Sequence, residues 1–259
     1  MVSVSKSRLG MHRKNANSVP PASRGGPAIR ALQLWTAGNP AKGKVHQLLS
    51  EGERARLSLI ASIVRCRRGE QIYRAGAPVQ AIYNIISGVV KSFSAAPDGG
   101  ERINAFLFAD DLVGLSEEGV YANSAEAITA VTAYRLPVNK LQGHLRKDPD
   151  LEFHVICKLC QELRQAQRHA FLISRREATN KVAMFLQLME ELQTSREEPT
   201  NEIFLPMDRT EIGEYAGLSL AAVSRAFRKL TADGVIEVRN RHHVKVKDRA
   251  VFNELADPI

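Results

Sequence analysis

The side chains best suited to recognise a ligand by charge lie near the carboxyl end of the chain, between Ser219 and Arg249. This segment holds eight basic residues and three acidic ones, which gives a local net charge of +5. The basic residues are Arg225, Arg228, Lys229, Arg239, Arg241, Lys245, Lys247 and Arg249. Clustered lysine and arginine side chains neutralise phosphates, so this pattern indicates binding to a nucleic acid.

The net charge of the whole chain carries less information. The 259 residues include 36 Lys and Arg and 28 Asp and Glu, a net charge of +8. Eight of the basic residues lie in residues 1–44, which contain no acid, so residues 45–259 sum to zero. We interpret residues 1–43 as a disordered basic tail, because a segment poor in apolar residues cannot bury enough surface to fold. An organelle transit peptide is the alternative.

The basic cluster overlaps the residue spacing of a helix-turn-helix. Asp208 and Glu211 form a capping-box pair at the start of a first helix. Gly217 supplies the left-handed residue that ends this helix, and Ser219 caps the second helix. Gly213 is small where the two helices cross. The buried face of the second helix is expected to contain Val223, Phe227 and Leu230.

Two alternating apolar segments follow the helix-turn-helix. Val235–Val238 and Val244–Lys247 read as strands, and residues 239–242 between them form a turn with basic side chains. A hairpin at this place makes the unit a winged helix-turn-helix, in which the basic tip reaches the phosphates of double-stranded DNA.

A long amphipathic helix is expected before this unit. Its apolar residues are spaced alternately by three and four positions, which is the seam of a two-stranded coiled coil. The seam residues are Ile156, Leu159, Leu163, Ala166, Ala170 and Ile173. Packing of this helix on its own domain is the alternative, but the narrow seam and its charged flanks favour a homodimer.

The first half of the chain has the pattern of short strands broken by turn residues, which is typical of an antiparallel jelly roll. The predicted strands are Glu70–Arg74, Ala81–Ser87, Val89–Ser94, Ile103–Phe108, Ala127–Val131 and Tyr134–Val138. The sequence therefore predicts an α+β protein. The β jelly roll occupies residues 44–145, the dimerisation helix 146–174 and the winged helix-turn-helix 175–259.

These features together resemble the CRP/FNR family of bacterial transcription regulators, and its FNR/FixK branch in particular. The resemblance rests on Arg68–Tyr73 in the jelly roll, on Met207–Gly213 and Gly217–Ser219, and on Val223–Arg225 with its Ser-Arg pair. It implies a cyclic-nucleotide-binding-like β-roll and a homodimeric activator. The implied partners are double-stranded DNA and RNA polymerase.

The resemblance also implies roles for individual residues. Arg225 would make a bidentate contact with a guanine beside Ser224, and Arg209 would hold a phosphate. The branch carries a glutamate where this chain has Ala221, so the preferred half-site stays open. The predicted DNA-binding residues are Arg209, Ser219, Leu220, Ala221, Ser224, Arg225, Arg228, Arg241 and Lys245.

The predicted sensor domain lacks the residues that bind a cyclic nucleotide in this fold. Leu115 stands in place of the acid for the ribose hydroxyl, and Asn123 in place of the arginine for the phosphate. Residues 1–65 contain no Cys, so an N-terminal iron–sulfur cluster is not expected. We expect no cofactor and no metal.

The effector of the sensor domain stays open. The candidate redox thiols are Cys66, Cys157 and Cys160, and arginines around Cys66 would favour its thiolate. Haem bound through His144, His154 or His169 is the alternative.

Several other classes of protein do not fit. The sequence contains none of the common nucleophile-elbow, zinc-protease or phosphate-loop motifs, so we expect no enzyme activity. Three cysteines are too few for a disulfide framework, which indicates a cytoplasmic protein. The longest charge-free run has 16 residues, and a membrane helix needs about 20. A ligand-binding module that uses the winged helix for protein contacts is the alternative from a different class.

Overall fold

The computed structural model describes residues 57–96, 99–116, 118–196, 198 and 201–257. The predicted basic tail therefore lies outside the described residues. Within the described ranges, no helix combines the length and the apolar character that crossing a membrane requires.

The first half of the described chain forms two antiparallel sheets of four strands each. The sheets have the strand orders β1-β8-β3-β6 and β2-β7-β4-β5. The strands are β1 Ser62–Cys66, β2 Gln71–Tyr73, β3 Ala81–Ser87, β4 Val90–Ala95, β5 Glu101–Leu107, β6 Leu112–Val113, β7 Ser124–Ala127 and β8 Val131–Pro137. Ile85, Val90, Ala125 and Ala133 are almost fully buried in one hydrophobic cluster. The predicted β jelly roll is confirmed.

One predicted strand is wrong. Ala127 ends β7 and Val131 begins β8, so the segment between them is a turn rather than strand Ala127–Val131. The apolar run misled the interpretation because Ile128 is buried in this turn. A hydrogen bond from the loop between β3 and β4 holds this turn in place, because the Val89 amide donates to Thr129 Oγ1 at 2.8 Å. The strand predicted at Tyr134–Val138 runs over Val131–Pro137 instead.

Two helices follow the jelly roll: α1, Val138–Leu145, and α2, Pro149–Ser174. Asp148 caps α2 by accepting a hydrogen bond from the Leu151 amide at 3.2 Å, and Pro149 occupies the first turn, where its missing N–H costs nothing. The predicted long helix is confirmed.

The carboxyl-terminal elements form a winged helix. They are α3 Ala178–Ser195, β9 Ile203–Phe204, α4 Arg209–Ala216, α5 Leu220–Ala232, β10 Ile236–Val238, β11 His243–Val246 and α6 Arg249–Ala256. Strands β10 and β11 are the predicted hairpin, and β9 adds a third strand by pairing with β11.

The turn at Gly88, between β3 and β4, packs closely against the turn between β7 and β8. Gly88 has φ +89°, and a Cβ built there would lie 2.1 Å from the carbonyl oxygen of Ala130. Gly76 has a similar φ of +78°, yet a Cβ there would meet nothing within 4 Å. Substitutions at the two glycines therefore distinguish the cost of a left-handed backbone from the cost of a steric clash.

We expect Gly88→Ala to destabilise the protein much more than Gly76→Ala. Gly76→Ala carries the left-handed cost alone, about 1–2 kcal/mol. Gly88→Ala adds a backbone clash that forces the turns apart, typically another 1–3 kcal/mol. Urea unfolding of both variants measures the difference, and equal losses would contradict the close contact between residues 88 and 130.

Candidate nucleic-acid interface

The start of the helix-turn-helix is fixed by the predicted capping box. Asp208 Oδ1 accepts from the amides of Thr210 and Glu211 at 2.9 and 3.0 Å. In return, Glu211 Oε2 accepts from the Asp208 amide at 2.7 Å. The first amides of α4 are thus satisfied, and its direction is set by side chains next to it in sequence.

The turn between α4 and α5 depends on two glycines. Gly217 ends α4 with φ +64°, as predicted. A Cβ at Gly213 would lie 2.5 Å from the carbonyl oxygen of Leu218, so a larger residue would push the turn away from α4. The amide of Leu218 donates to the Gly213 carbonyl at 2.9 Å, which closes the turn.

Helix α5 has one buried face and one exposed face. Ser219 caps it by accepting from the Ala222 amide at 3.2 Å. The predicted inner residues Val223, Phe227 and Leu230 are buried. Six of the predicted DNA-binding residues lie on the outer face, and Ser224 is half-buried there. The other five are exposed: Ser219, Leu220, Ala221, Arg225 and Arg228. The structure therefore brings these candidates together on one helix surface.

Arg209 is placed differently from the expectation. Its guanidinium lies over the ring of Phe227, 3.0 Å from the centroid, and burial lowers the pKa of Arg209 to about 10. Nη1 is buried and makes no hydrogen bond to any described residue. The side chain would have to turn outward to hold a phosphate.

The wing carries less free positive charge than its sequence indicates. Arg239 pairs with Glu237 at 2.6 Å, and Lys247 lies 3.7 Å from the same carboxylate. Arg249 forms a bidentate pair with Glu190 on α3, at 2.6 and 2.7 Å. Glu237 is already counted in the local +5, but Glu190 lies outside that segment, so its pairing with Arg249 lowers the free charge below this value.

The remaining basic side chains keep their charge available. Arg241, at the wing tip, is 66% exposed and lies 3.6 Å from Asp208 Oδ2. Arg225, Arg228, Lys229 and Lys245 form no ion pair with any residue that the structure describes. The free charge is thus concentrated on α5 and on one wing strand.

A junction of aromatic rings places α4 against the rest of the chain. Tyr215 of α4 stacks on His169 of α2 at 3.9 Å and contacts Phe106 of β5 and Phe185 of α3 at 5.3 and 5.5 Å. The Nε2–H of His169 donates to the Tyr215 carbonyl at 2.7 Å. Burial raises the pKa of Tyr215 and lowers the pKa of His169.

Polar groups surround this junction. The buried ammonium of Lys181 on α3 donates to the Ala216 carbonyl at the end of α4, at 3.1 Å. Lys91 of β4 lies between Glu101 and Glu126, at 3.0 and 3.6 Å. Sequence reasoning missed the whole junction, because its members are separated by up to 109 positions between residues 106 and 215 and share no local pattern.

All six predicted seam residues are exposed on one face of α2. The large ones retain between 41% (Ile173) and 61% (Leu163) of their accessible surface. Exposed apolar side chains along a helix of 26 residues are a typical contact surface for a second helix.

The candidate redox thiols and haem ligands gain little support. Burial, with the nearby Glu70 carboxylate, raises the pKa of Cys66, which is the opposite of the expected thiolate stabilisation. Burial likewise raises the pKa of Cys157. His169 is engaged with Tyr215. Among the described residues, no group of three or more His, Cys, Asp or Glu side chains could hold a metal ion.

The position expected for a cyclic nucleotide is a cavity of about 390 Å³ between the jelly roll, α2 and α3. Leu115 and Asn123 line it, as the sequence implies. Asn123 Oδ1 accepts from the Tyr73 hydroxyl at 3.2 Å. None of the described lining residues is a lysine, arginine or histidine. The described lining therefore supplies no counter-charge for the phosphate of a cyclic nucleotide, which would be costly to bury there.

Comparisons with known proteins agree with this architecture. Residues 63–148 match the cyclic nucleotide-binding domain, and residues 180–255 match the Crp-like helix-turn-helix domain. The chain is 32% identical over 170 residues to the nitrogen fixation regulation protein FixK of Bradyrhizobium diazoefficiens, covering 66% of this chain and 72% of FixK. It is 29% identical over 184 residues to the transcriptional activator protein FnrA of Stutzerimonas stutzeri, covering 70% and 75%. The solved structure of FixK2 from Bradyrhizobium japonicum superposes with a TM-score of 0.70 and 28% identity, covering 76% of this chain and 98% of FixK2.

The buried His169 predicts a pH dependence of stability. Its folded pKa is lowered, so the unfolded chain binds the proton more tightly, and stability is lost as pH falls below about 6.5. One proton contributes at most about 1.4 kcal/mol per pH unit. We expect His169→Gln, which keeps a donor for Tyr215, to flatten the decline of unfolding free energy between about pH 6.5 and pH 5.

His144→Gln, on α1 and outside the junction, is the control and should leave the profile unchanged. If unfolding free energy fell equally with pH in the wild type and in His169→Gln, the pKa of His169 would not be lowered in the junction.

Proposed function

Because the chain belongs to the CRP/FNR family of DNA-binding transcription regulators, we propose that it acts as a homodimer on a pseudo-palindromic FNR/FixK-like site. In this proposal it binds without cyclic AMP and without an N-terminal iron–sulfur cluster, has no enzyme activity, and works in the cytoplasm. RNA polymerase is the further partner that the family implies.

The exposed face of α5 is the observation that carries the proposal. Arg225, Arg228 and Ser224 project from a helix whose other face is buried, and the two arginines have no acidic partner among the described residues. A helix of 13 residues with this polarity fits the major groove. The arginine fork matches guanine O6 and N7, which makes Arg225 the residue that reads sequence.

The wing would position the helix rather than read bases. Arg241 and Lys245 lie on the hairpin next to α5, where they can reach phosphates on either side of the groove. Ala221 offers a methyl group, which contacts a thymine methyl but accepts no hydrogen bond. The half-site should therefore differ at that base from sites read by a glutamate.

The exposed seam of α2 supports the homodimer. Two copies packed along Ile156, Leu159 and Leu163 would cover apolar surface that a single chain leaves in water. Two α5 helices related by a two-fold axis bind half-sites one helical turn apart.

The alternative class, a winged helix that contacts proteins, is separated by the salt dependence of binding. A gel-shift titration of a 30-base-pair duplex across about 50–200 mM salt should give a steep loss of affinity, because released counter-ions accompany each neutralised phosphate. A flat response would favour protein contacts, whereas a steep response with equal affinity for the site and for random sequence would show non-specific DNA binding and contradict the proposed site.

We expect Arg225→Ala to remove sequence preference, through the loss of a guanine contact worth about 1–3 kcal/mol. Lys245→Ala is the matched control, because a phosphate contact weakens binding to all sequences alike. Selection from a randomised library with each variant distinguishes the two effects. An unchanged half-site motif with Arg225→Ala would contradict the assignment of α5.

We expect the protein to be a dimer without any effector, because its seam contains no charge. Ala166→Asp would place two like charges opposite each other in the seam and shift the population toward monomer. Half of the DNA contacts would then be lost. Sedimentation velocity at micromolar concentration measures the shift.

Ala250→Asp, the same change on the exposed face of α6, should leave the dimer intact. A wild-type protein that sediments as a monomer would overturn the proposed seam.

A further inference from the structure

The cavity whose described lining offers no counter-charge for a cyclic nucleotide is large enough for another small molecule. Its volume of about 390 Å³ lies within the usual range for small-molecule pockets, about 300–1,000 Å³. Its walls come from all three parts of the chain: Tyr73 and Phe106 from the jelly roll, Leu163 from α2, Met189 from α3 and Tyr215 from α4. A ligand there would touch the sensor, the seam helix and the first helix of the helix-turn-helix together.

The cavity contains one carboxylate in an unusual state. Glu162 of α2 is the single acid among the described lining residues. Its Oε1 is buried and makes no hydrogen bond to any described residue. Burial, and then the nearby Asp111, raise the pKa of Glu162 to about 7, while Lys158 opposes the shift.

The positive charge near Glu162 is shared with another acid. Lys158, whose charge lowers the pKa of Glu162, is paired with Asp111 at 2.6 Å and does not line the cavity. In the heptad defined by the seam, Glu162 occupies a g position, and the e position that faces it across a parallel seam is Gln167. A second copy would therefore bring an uncharged amide to this carboxylate.

The polarity of the cavity is thus opposite to that of a phosphate site. Leu115 and Asn123 offer no charge, and Glu162 adds a negative one. An anion in this place would be buried beside a carboxylate, which is strongly unfavourable. A cation with N–H donors would satisfy Oε1 and neutralise the buried charge.

We propose that this cavity binds a small organic cation, an ammonium or amidinium group carried on an aromatic body, with Glu162 as the group that holds the cation. The rings of Tyr73, Phe106 and Tyr215 line the same space and suit an aromatic body, and their faces also attract cations. The inference rests on the proposed regulator only for its consequence on DNA, since binding itself is measured without DNA.

The position of the site gives the ligand a route to the DNA-binding helices. Tyr215 both lines the cavity and stacks on His169, so a ligand packed against its ring favours one arrangement of α4 on α2. A ligand that binds one arrangement more tightly shifts the population toward it, by as much as the difference in affinity.

Proton release is the distinctive signature of this site. A cation selects the ionised form of Glu162, so binding below about pH 7 must displace its proton. The groups that face Glu162 are Asp111, Lys158 and Tyr73, and burial with nearby ionisable groups, Glu162 among them, raises the pKa of Tyr73. Affinity for the cation should therefore fall up to tenfold per pH unit below pH 7.

The test uses two probes of nearly the same shape and opposite charge, tyramine and 4-hydroxyphenylacetate, with the full chain. Isothermal titration calorimetry and thermal unfolding should show that tyramine binds once per chain and raises the melting temperature, whereas 4-hydroxyphenylacetate does neither. Glu162→Gln should weaken tyramine binding at least tenfold at pH 8, and Glu254→Gln, an exposed acid on α6, should leave it unchanged.

A double variant reverses the preference. Glu162→Gln with Asn123→Arg removes the carboxylate and adds a cation to the wall, so it should reject tyramine and admit 4-hydroxyphenylacetate. Unchanged unfolding of each variant without ligand shows that it folds.

Three outcomes would overturn the proposal: equal binding of both probes, tyramine binding that survives Glu162→Gln, or no binding of tyramine, phenethylamine or benzamidine at millimolar concentration. Loss of DNA binding by the wild type would instead contradict the proposed function and leave these ligand measurements standing.

Discussion

The structure depends on one buried tyrosine. Tyr215 lies where the jelly roll, the seam helix and the winged helix meet, and its ring contacts a residue from each: Phe106, His169 and Phe185. The same residue belongs to α4, whose end and turn determine the direction of α5. The packing of this aromatic side chain, together with the hydrogen bond from Lys181 of α3 to the end of α4, therefore helps to set the position of the candidate DNA-reading face relative to the seam.

A polar layer limits how far this packing can change. Lys91 is almost fully buried and is held by Glu101 and Glu126, with Glu214 of α4 close enough to raise the pKa of Lys91. Separating α4 from β4 and β5 would leave these charges with fewer partners in a partly buried place, which is costly. The aromatic rings around Tyr215 therefore stabilise the contact of α4 with the jelly roll, and the charged groups around Lys91 restrict how α4 can be oriented on it.

Much of the fold could be predicted because its signals are local. The capping box at Asp208, the left-handed Gly217 and the cap at Ser219 each involve neighbours within a few residues, and all three were confirmed. The seam of α2 was predictable for the same reason, since a helix repeats its face at fixed spacing. Strand β9 was missed because two residues carry no period, and its existence depends on pairing with β11.

The parts that could not be predicted are those in which distant residues decide the outcome. Sequence shows that Arg239 and Arg249 are basic, but their pairing with Glu237 and Glu190 depends on the fold. Arg209 was expected at a phosphate, but its guanidinium lies over Phe227, a buried ring of α5 that only the packing of the two helices brings beside it. Glu162 has no distinguishing sequence pattern, since one acid on an amphipathic helix is ordinary. Its burial depends on the packing of α2 against the jelly roll and α3, which also forms the cavity.

The two carboxylate oxygens of Asp208 have different partners. Oδ1 receives the amides that begin α4, while Oδ2 faces the guanidinium of Arg241 at the wing tip. A phosphate that draws Arg241 away takes a partner from Oδ2 and leaves the bonds of Oδ1 in place. The hydrogen bonds that begin α4 therefore do not depend on Arg241, so the wing tip can lose its contact with Asp208 without uncapping the neighbouring helix.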